Sequence, residues 1–314
     1  MAASAPTRSW TRAVLVAAAL ALIAGESPAQ ILPWEMTVAE IEAGRLRGLV
    51  ERLAKQNLLY QLHLGDVTKN DLVETASRID LTLRSLESGN PSYSVPRPWT
   101  TALTESVSAV DQHWGPLRRI AVASPYDALR VSNEFVPPDR RRGDPLLLLY
   151  FDDMSEALIA KSEALLDLYH AECLQTGLEV CTTAHSSGYA AMLIERAAKQ
   201  AVYVFAGIRA GENRERLKET VEAFKQHRAD NQKSNFFAAA VDPKRGSSAK
   251  AAAELLASLR NDWDSMQAEF AILSAGDVKN FDLQRLLGVQ SRLVEKVERM
   301  TAALVRYASL EYGS

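Results

Sequence analysis

The sequence lacks the short motifs that mark most enzyme active sites. It has no GxxxxGK[ST] phosphate-binding loop, no GxSxG nucleophile motif, no HExxH zinc motif and no GxGxxG dinucleotide-binding motif. Its five histidines are scattered, and no two of them lie four residues apart. The di-metal sites of helical bundles use Glu-x-x-His pairs, and none occurs here. We therefore expect no enzyme activity, no bound metal and no cofactor.

Glycine, proline and excess charge are also scarce. The 314 residues include 15 glycines and 12 prolines, which cluster between longer segments. The net charge is −3, whereas broad nucleic-acid binding normally requires a surplus of basic residues. No segment alternates polar and apolar residues as a half-buried strand does. These absences predict an all-α protein that does not bind nucleic acid.

The N-terminus contains the only long apolar run. Residues 13–24 are uninterruptedly apolar, and Arg8 and Arg12 precede them. This run is shorter than the roughly 20 residues that a membrane-spanning helix needs. Small residues follow it, so we predict a signal peptide over residues 1–29 that is cleaved after Ala29, and a periplasmic or secreted protein. An uncleaved membrane anchor is the competing interpretation.

Cys173 and Cys181 are the only cysteines. In an exported protein, two thiols eight residues apart are most simply a disulfide, and Gly177 between them is a natural helix stop. Free thiols are one alternative. Metal binding with the nearby His170 and His185 is a weaker one, because the spacing matches no recognised zinc site.

The chain contains an internal repeat. The hexapeptide Glu51–Gln56 (ERLAKQ) returns as Glu195–Gln200 (ERAAKQ), 144 residues later. Trp114 and Trp263 stand 149 residues apart. Matches that keep their order while the offset drifts slowly indicate two copies of one unit with small insertions in loops.

Apolar residues recur at spacings of three and four, which is typical of one-sided helices. The pattern predicts two up-and-down four-helix bundles in tandem, over residues 34–178 and 182–314. The predicted helices are about Thr37–Gly65, Thr68–Ser88, Thr100–Ile120, Pro145–Cys173, Ala184–Ala210, Glu212–Asn231, Ser247–Leu273 and Phe281–Tyr312. Residues 121–144 are less regular; Ser124-Pro125 is a candidate start of a short helix.

One polar cluster on the first helix is a candidate binding site. Arg45 and Arg52 are seven residues apart and share a helix face with Gly48, while Arg47 flanks the apolar stripe on the opposite edge. Guanidinium groups beside a helix-packing interface can hold a small oxyanion through paired hydrogen bonds.

A purely structural role is the alternative for these charges. Glu51 and Lys55 are spaced for an i,i+4 ion pair, as are Glu195 and Lys199, and the arginines would then be solvated or paired.

The first helix resembles the opening helix of PilJ/NarX-type sensory domains, which occur in type IV pilus chemotaxis transducers and nitrate/nitrite sensor kinases. The similarity lies in Ala43–Lys55 (AGRLRGLVERLAK), against a family pattern of roughly AGRQRMLSQRMAK. The second copy resembles the same pattern more weakly, at Gly188, Met192, Leu193, Arg196, Ala198 and Lys199.

The resemblance implies an extracytoplasmic four-helix bundle in which an arginine of the first helix binds nitrate or nitrite near a dimer interface. By position that arginine is Arg47, with Arg45 and Arg52 in support. In the second copy, Tyr189 and Ala191 replace the first two arginines of the motif.

Our leading hypothesis is therefore an exported binding module that captures a small anion or docks on a membrane-bound signalling partner. The chain shows no kinase or methyl-accepting region, so we expect it to act through such a partner. The rival hypothesis is a helical scaffold, for example a homodimer, that binds no small molecule.

Overall fold

The computed structural model describes residues 31–123, 145–233 and 246–312, and these residues are helical with no β-strand. The all-α prediction is confirmed for them. The eight α-helices are α1 Pro33–Leu62, α2 Lys69–Ser88, α3 Thr101–Val122, α4 Pro145–Leu174, α5 Glu179–Phe205, α6 Ala210–Lys233, α7 Gly246–Ser274 and α8 Leu283–Tyr312. Two short 3-10 helices, Pro91–Tyr93 and Val278–Asn280, lie in the connections.

Local sequence explains where several helices begin and end. Thr68 and Asp71 form a capping box, in which each side chain binds the backbone N–H of the other residue at the start of α2. Gly177 has a φ of +73° between α4 and α5, a backbone conformation that favours glycine. The predicted break near Gly177 is therefore confirmed.

Most predicted helix boundaries agree with the structure to within a few residues, but those of α5 do not. It begins at Glu179 and ends at Phe205, about five residues earlier at each end than predicted. Gly207, with a φ of +74°, follows its last residues. Val180 and Cys181 are fully buried, so packing extends α5 upstream of the apolar pattern that was visible in the sequence.

The two halves of the chain show the same packing pattern. In the first half, α1 packs against α2 and α4, and α3 packs against the same two helices. In the second half, α5 and α7 both pack against α6 and α8. Neighbouring helices in each ring are joined in chain order, as in up-and-down bundles. Residues from Pro33 onward form one compact unit, because α1 and α5 share the most extensive helix contact in the described chain.

The buried apolar residues of this unit form two clusters. One surrounds Trp114 and the other surrounds Trp263, which stacks on Phe224 with ring centroids 3.7 Å apart. The repeated tryptophans therefore occupy corresponding positions in the two cores. The two clusters do not divide strictly between the two halves of the chain, since Leu58 and Leu59 of α1 belong to the cluster around Trp263.

Two predictions fall outside the described residues: the signal peptide of residues 1–29 and the short helix at Ser124-Pro125. None of the described helices combines the length and the apolar character needed to cross a membrane.

Candidate functional site between the repeated helices

The first helices of the two halves, α1 and α5, run in the same direction and in register. Gly44 lies against Gly188, and Gly48 lies against Ala191. A Cβ added to Gly188 would be only 2.9 Å from Cα of Gly44, so two glycines are needed for the helices to approach this closely. The repeated segments therefore face each other, and we call this contact the α1–α5 interface.

The repeated glutamates and arginines pair across this interface. Arg52 donates to Glu195 through Nε at 2.8 Å, and Arg196 donates to Glu51 through Nε at 2.5 Å. Both glutamates are fully buried. In each bond the arginine of one hexapeptide donates to the glutamate of the other hexapeptide. Residues pair in this reciprocal way across an interface related by two-fold symmetry.

The lysines of the hexapeptides repeat this exchange. Lys55 donates to Glu195 at 2.6 Å, and Lys199 lies 2.9 Å from the second carboxylate oxygen of Glu51. The alternative in which Glu51 pairs with Lys55 and Glu195 with Lys199 along one helix is therefore not what the structure contains. The side chains face the neighbouring helix, where the oppositely charged groups of the other copy are also buried.

Burial and pairing shift the pKa values of these groups. Burial alone would raise the pKa of Glu195, but Lys55 and Arg52 outweigh it and lower that pKa. Burial alone would lower the pKa of Lys199, but Glu51, Asp152 and Glu156 raise it well above its ordinary value. Both groups remain charged at neutral pH, so the interface contains buried ion pairs.

Arg45 and Arg52 line one side of the interface, as their shared helix face predicted. They border a narrow cleft of about 40 Å³, open in part to solvent, that also touches α8. Arg45 donates to Glu42 at 2.6 Å and is 37% exposed in its side chain. Arg52 donates to Glu298 at 3.1 Å in addition to Glu195. Both guanidinium groups already have carboxylate partners.

Arg47 lies on the other side, facing α4. Its side chain is 1% exposed, and its Nη1 donates to Glu163 at a long 3.3 Å. The guanidinium carbon is 5.5 Å from the ring centroid of Tyr189, within the range of a cation–π contact. Its Nε and Nη2 are buried and have no hydrogen-bond partner among the described residues. Burial lowers the pKa of Arg47, while Glu163 and Asp167 oppose that shift.

The two replacements in the second copy have structural consequences here. Tyr189, which stands where the first copy has Arg45, supplies the aromatic ring beside Arg47. Ala191, the counterpart of Arg47, is small enough to pack against Gly48. The structure therefore separates the three predicted ligand residues: Arg45 and Arg52 face the α8 side, and Arg47 faces α4.

A second polar cluster lies near one end of the interface. Nδ1 of His170 is 2.6 Å from Oε1 of Glu40, and Nδ1 of His185 is 3.7 Å from the same oxygen. The two imidazole rings are tilted against each other with centroids 4.3 Å apart. We call Glu40, His170 and His185 the Glu40 cluster.

The environment of the Glu40 cluster shifts the pKa of each member. Burial raises the pKa of Glu40 to about 7, although the hydrogen bond from His170 opposes the shift. That hydrogen bond raises the pKa of His170. Burial, followed by the charges of His170 and Arg47, lowers the pKa of His185 to about 4. His185 is therefore neutral at neutral pH.

The predicted disulfide is present between Cys173 and Cys181. It joins the end of α4 to the start of α5 across the turn at Gly177. Oγ1 of Thr37 on α1 lies 3.4 Å from Sγ of Cys173, so the bond is also in contact with the first helix. Free thiols and metal-bound thiolates, the two alternatives, are not what the structure contains.

Sequence reasoning named His170 and His185 only as possible partners of the cysteines and missed Glu40, because the three residues come from three helices. Glu40 is separated from His170 by 130 residues. A usable signal was present near the cysteines: His170 precedes Cys173 by three residues, and His185 follows Cys181 by four. Once the disulfide is assigned, both histidines must lie close together.

Fold and interface define an all-helical protein in which two rings of helices meet through buried ion pairs. Residues 41–133 match the family model described as the N-terminal domain of type IV pili methyl-accepting chemotaxis transducers, PilJ. Over that range the chain is similar to PilJ-type sensory domains, which are typical ligand-binding modules of chemoreceptors. A search of curated proteins and a search of solved structures find no match.

The match covers α1 to α3 and stops before α4. The second copy and the nitrate-sensor type lie beyond it and stay predictions, as do the membrane-bound signalling partner and the homodimer. The disulfide is consistent with an oxidising compartment outside the cytoplasm, where PilJ-type domains are found.

Proposed function

We propose that the chain is a periplasmic or secreted sensor-type binding module in which two PilJ/NarX-type bundles form a dimer-like pair within one polypeptide. The support for a duplicated unit is the reciprocal pairing of Arg52 with Glu195 and of Arg196 with Glu51. Two unrelated halves would have no reason to exchange the same residue types across one interface. A fused pair also explains how one copy can diverge while the interface is retained.

We propose that the ligand is a small oxyanion such as nitrate or nitrite, and that Arg47 is its main contact. The observation that supports this site is that Nε and Nη2 of Arg47 are buried and have no hydrogen-bond partner among the described residues. An unsatisfied charged donor in the interior is costly, and a planar oxyanion can accept two parallel hydrogen bonds from one edge of a guanidinium group.

The neighbouring carboxylates set the expected strength of binding. Glu163 is 49% exposed in its side chain and makes only the long 3.3 Å contact with Arg47, so it can move toward solvent when an anion enters. Its negative charge, and that of Asp167, still oppose the anion. Binding is therefore expected to be weak, and stronger when the charge of Glu163 is removed.

The rival function is a helical scaffold that docks on a membrane-bound partner and takes no small molecule. Its support is that Arg45 and Arg52 both have carboxylate partners already, and that the second half has Ala191 at the position equivalent to Arg47. In this case the ion pairs and Arg47 serve folding alone.

Isothermal titration calorimetry separates the two functions. The purified protein is titrated with sodium nitrate and sodium nitrite, with sodium chloride at matched ionic strength as the reference. We expect one site per chain, loss of binding in Arg47→Met, and several-fold tighter binding in Glu163→Gln.

The control is Arg45→Met, which removes a partly exposed guanidinium of the same helix and should bind as the unaltered protein does. Heat for neither anion, or the same binding in Arg47→Met as in the unaltered protein, would eliminate the proposed site. A partner recovered from membranes equally well by Arg47→Met would then favour the scaffold.

A further inference from the structure

The Glu40 cluster has the composition of a metal site. A carboxylate and two imidazoles are a donor set that zinc and other divalent transition metals use in proteins. The possible ligand atoms of Glu40, His170 and His185 all lie within 4.8 Å of one another. They come from α1, α4 and α5, so the fold, and not a local motif, brings them together.

Two atoms of the cluster have unused bonding capacity. Oε2 of Glu40 and Nδ1 of His185 are buried and have no hydrogen-bond partner among the described residues. Glu40 itself is 0% exposed. A carboxylate removed from water requires compensation, and one hydrogen bond from His170 leaves its second oxygen without any.

The distances are close to those of a coordination sphere. Ligand atoms bonded to zinc at tetrahedral angles lie about 3.2–3.5 Å apart. Oε1 of Glu40 is 2.6 Å from Nδ1 of His170 and 3.7 Å from Nδ1 of His185. Side-chain rotations that move these atoms by less than the length of one bond bring both separations into that range.

The disulfide explains why the two histidines are held in place. Cys173 lies three residues after His170 on α4, and Cys181 lies four residues before His185 on α5. Cross-linking the two cysteines fixes the ends of the helices that carry the imidazoles. Preorganised ligands of this kind lose less conformational entropy when a metal binds.

The other charged groups around the cluster have both signs, so some oppose and some favour the binding of a cation. Arg47 and His227 carry or can carry positive charge near His185, and Asp167 is negative near His170. Glu40 is the only one of these groups that is both acidic and fully buried. Because two of the three ligands are imidazoles, the ion must be one that imidazole binds strongly. This excludes Ca²⁺ and Mg²⁺ and favours Zn²⁺, Ni²⁺ or Cu²⁺.

We propose that Glu40, His170 and His185 bind one divalent transition-metal ion of the zinc type, with the remaining coordination position open to water or a ligand. Such a site ties α1 to the α4–α5 turn and stabilises the folded chain by mass action. None of its three ligands belongs to the anion site proposed at Arg47.

Titration with Zn²⁺ alone, under non-reducing conditions and in competition with a chromophoric chelator, tests the site. We expect one ion per chain and a rise in thermal stability on binding. His185→Ala and Glu40→Gln should each weaken Zn²⁺ binding by at least tenfold, a loss comparable to that from altered metal-site neighbours. Co²⁺ should give the visible absorption of a low-coordinate nitrogen–oxygen site in the unaltered protein, but not in His185→Ala or Glu40→Gln.

The matched control is His113→Ala, because His113 is an exposed histidine on α3 whose ring contacts only the backbone of Ala109 in its own helix. It should bind Zn²⁺ as the unaltered protein does.

Circular dichroism shows whether each variant is folded. Equal Zn²⁺ affinity in folded His185→Ala, folded Glu40→Gln and the unaltered protein would overturn the proposal, as would absence of stoichiometric uptake. Arg47→Met should still bind Zn²⁺, which keeps this result separate from that for the anion.

Discussion

Gly44 and Gly188 bring the backbones of α1 and α5 into direct contact, since a Cβ built on Gly44 would lie 3.3 Å from Cα of Gly188. The two residues are 144 apart in the chain, the same offset that separates the two hexapeptides. This close approach allows the charged groups one to three turns further along to reach the opposite helix. The stability of the protein should therefore depend on the absence of a Cβ atom at these two glycines.

Gly188→Ala should destabilise the protein. The added methyl would lie 2.9 Å from Cα of Gly44, and backbone atoms cannot rotate away as a flexible side chain can. We expect a loss of about 1–3 kcal/mol in the free energy of unfolding, as for other overpacked interiors. Gly288→Ala on exposed α8 surface is the control, and it should gain about 0.5–1 kcal/mol from helix propensity. Urea unfolding measures both, and a stabilised Gly188→Ala would contradict the close contact.

Lys55 and Glu195 should be strongly coupled in a double-mutant cycle. Removing Lys55 alone, as Lys55→Met, leaves the buried carboxylate of Glu195 short of one partner and should cost about 3–5 kcal/mol. The double variant Lys55→Met/Glu195→Gln should lose less than the sum of the two single losses. The exposed pair Glu215–Lys218 is the control, with Lys218→Met costing about 0.5 kcal/mol or less. Additive losses at Lys55 and Glu195 would mean that the ion pair across the interface does not form.

Acid should remove the stability contributed by Glu195. Its pKa in the folded protein is lower than the ordinary value of 4.5, because Lys55 and Arg52 outweigh burial. A lowered folded pKa gives stability that is complete above the unfolded pKa and is lost as pH falls through the folded one. The decline should thus begin near pH 4.5 and continue below it.

Unfolding by urea at a series of pH values checks this dependence. The stability difference between the unaltered protein and Glu195→Gln should shrink as pH falls below the ordinary glutamate value. Glu215→Gln, at an exposed position, should follow the unaltered protein at every pH. A Glu195→Gln variant whose curve stays parallel to that of the unaltered protein would refute the assignment.

Reduction of the disulfide should lower stability by a modest amount. Cys173 and Cys181 are only 8 residues apart, so the bond removes little freedom from the unfolded chain, about 2–3 kcal/mol by the loop-closure relation. Cys173→Ala/Cys181→Ala should show the same loss without reductant and no further change with it. Thermal unfolding with and without dithiothreitol makes the comparison. An unchanged midpoint in the unaltered protein would mean that the bond adds no stability.

The helices were the most predictable part of this protein. Their length and spacing follow from apolar residues at intervals of three and four, and the capping box at Thr68 or the glycine at residue 177 is a local signal. The disulfide followed from the count and spacing of two cysteines. The boundaries of α5 were predicted less well, because buried Val180 and Cys181 precede its clear apolar stripe.

The surroundings of the candidate ligand residues were only partly predictable. Arg45, Arg47 and Arg52 could be named, and their two helix faces assigned, from positions on one helix. That Arg47 would be buried beside Tyr189, and that Arg45 and Arg52 would have carboxylate partners, depends on α4, α5 and α8. No periodicity in α1 encodes those neighbours.

By itself the sequence determined the secondary structure and the cysteine pair, because these depend on near neighbours along the chain. Tertiary structure alone decided the partners of the repeated charges. Glu51 pairs with Lys199 and Glu195 with Lys55, although Lys55 and Lys199 were each four residues away on the same helix. The parallel packing of α1 and α5 buries both sets together, and a buried charge must pair with whichever opposite charge the neighbouring helix presents.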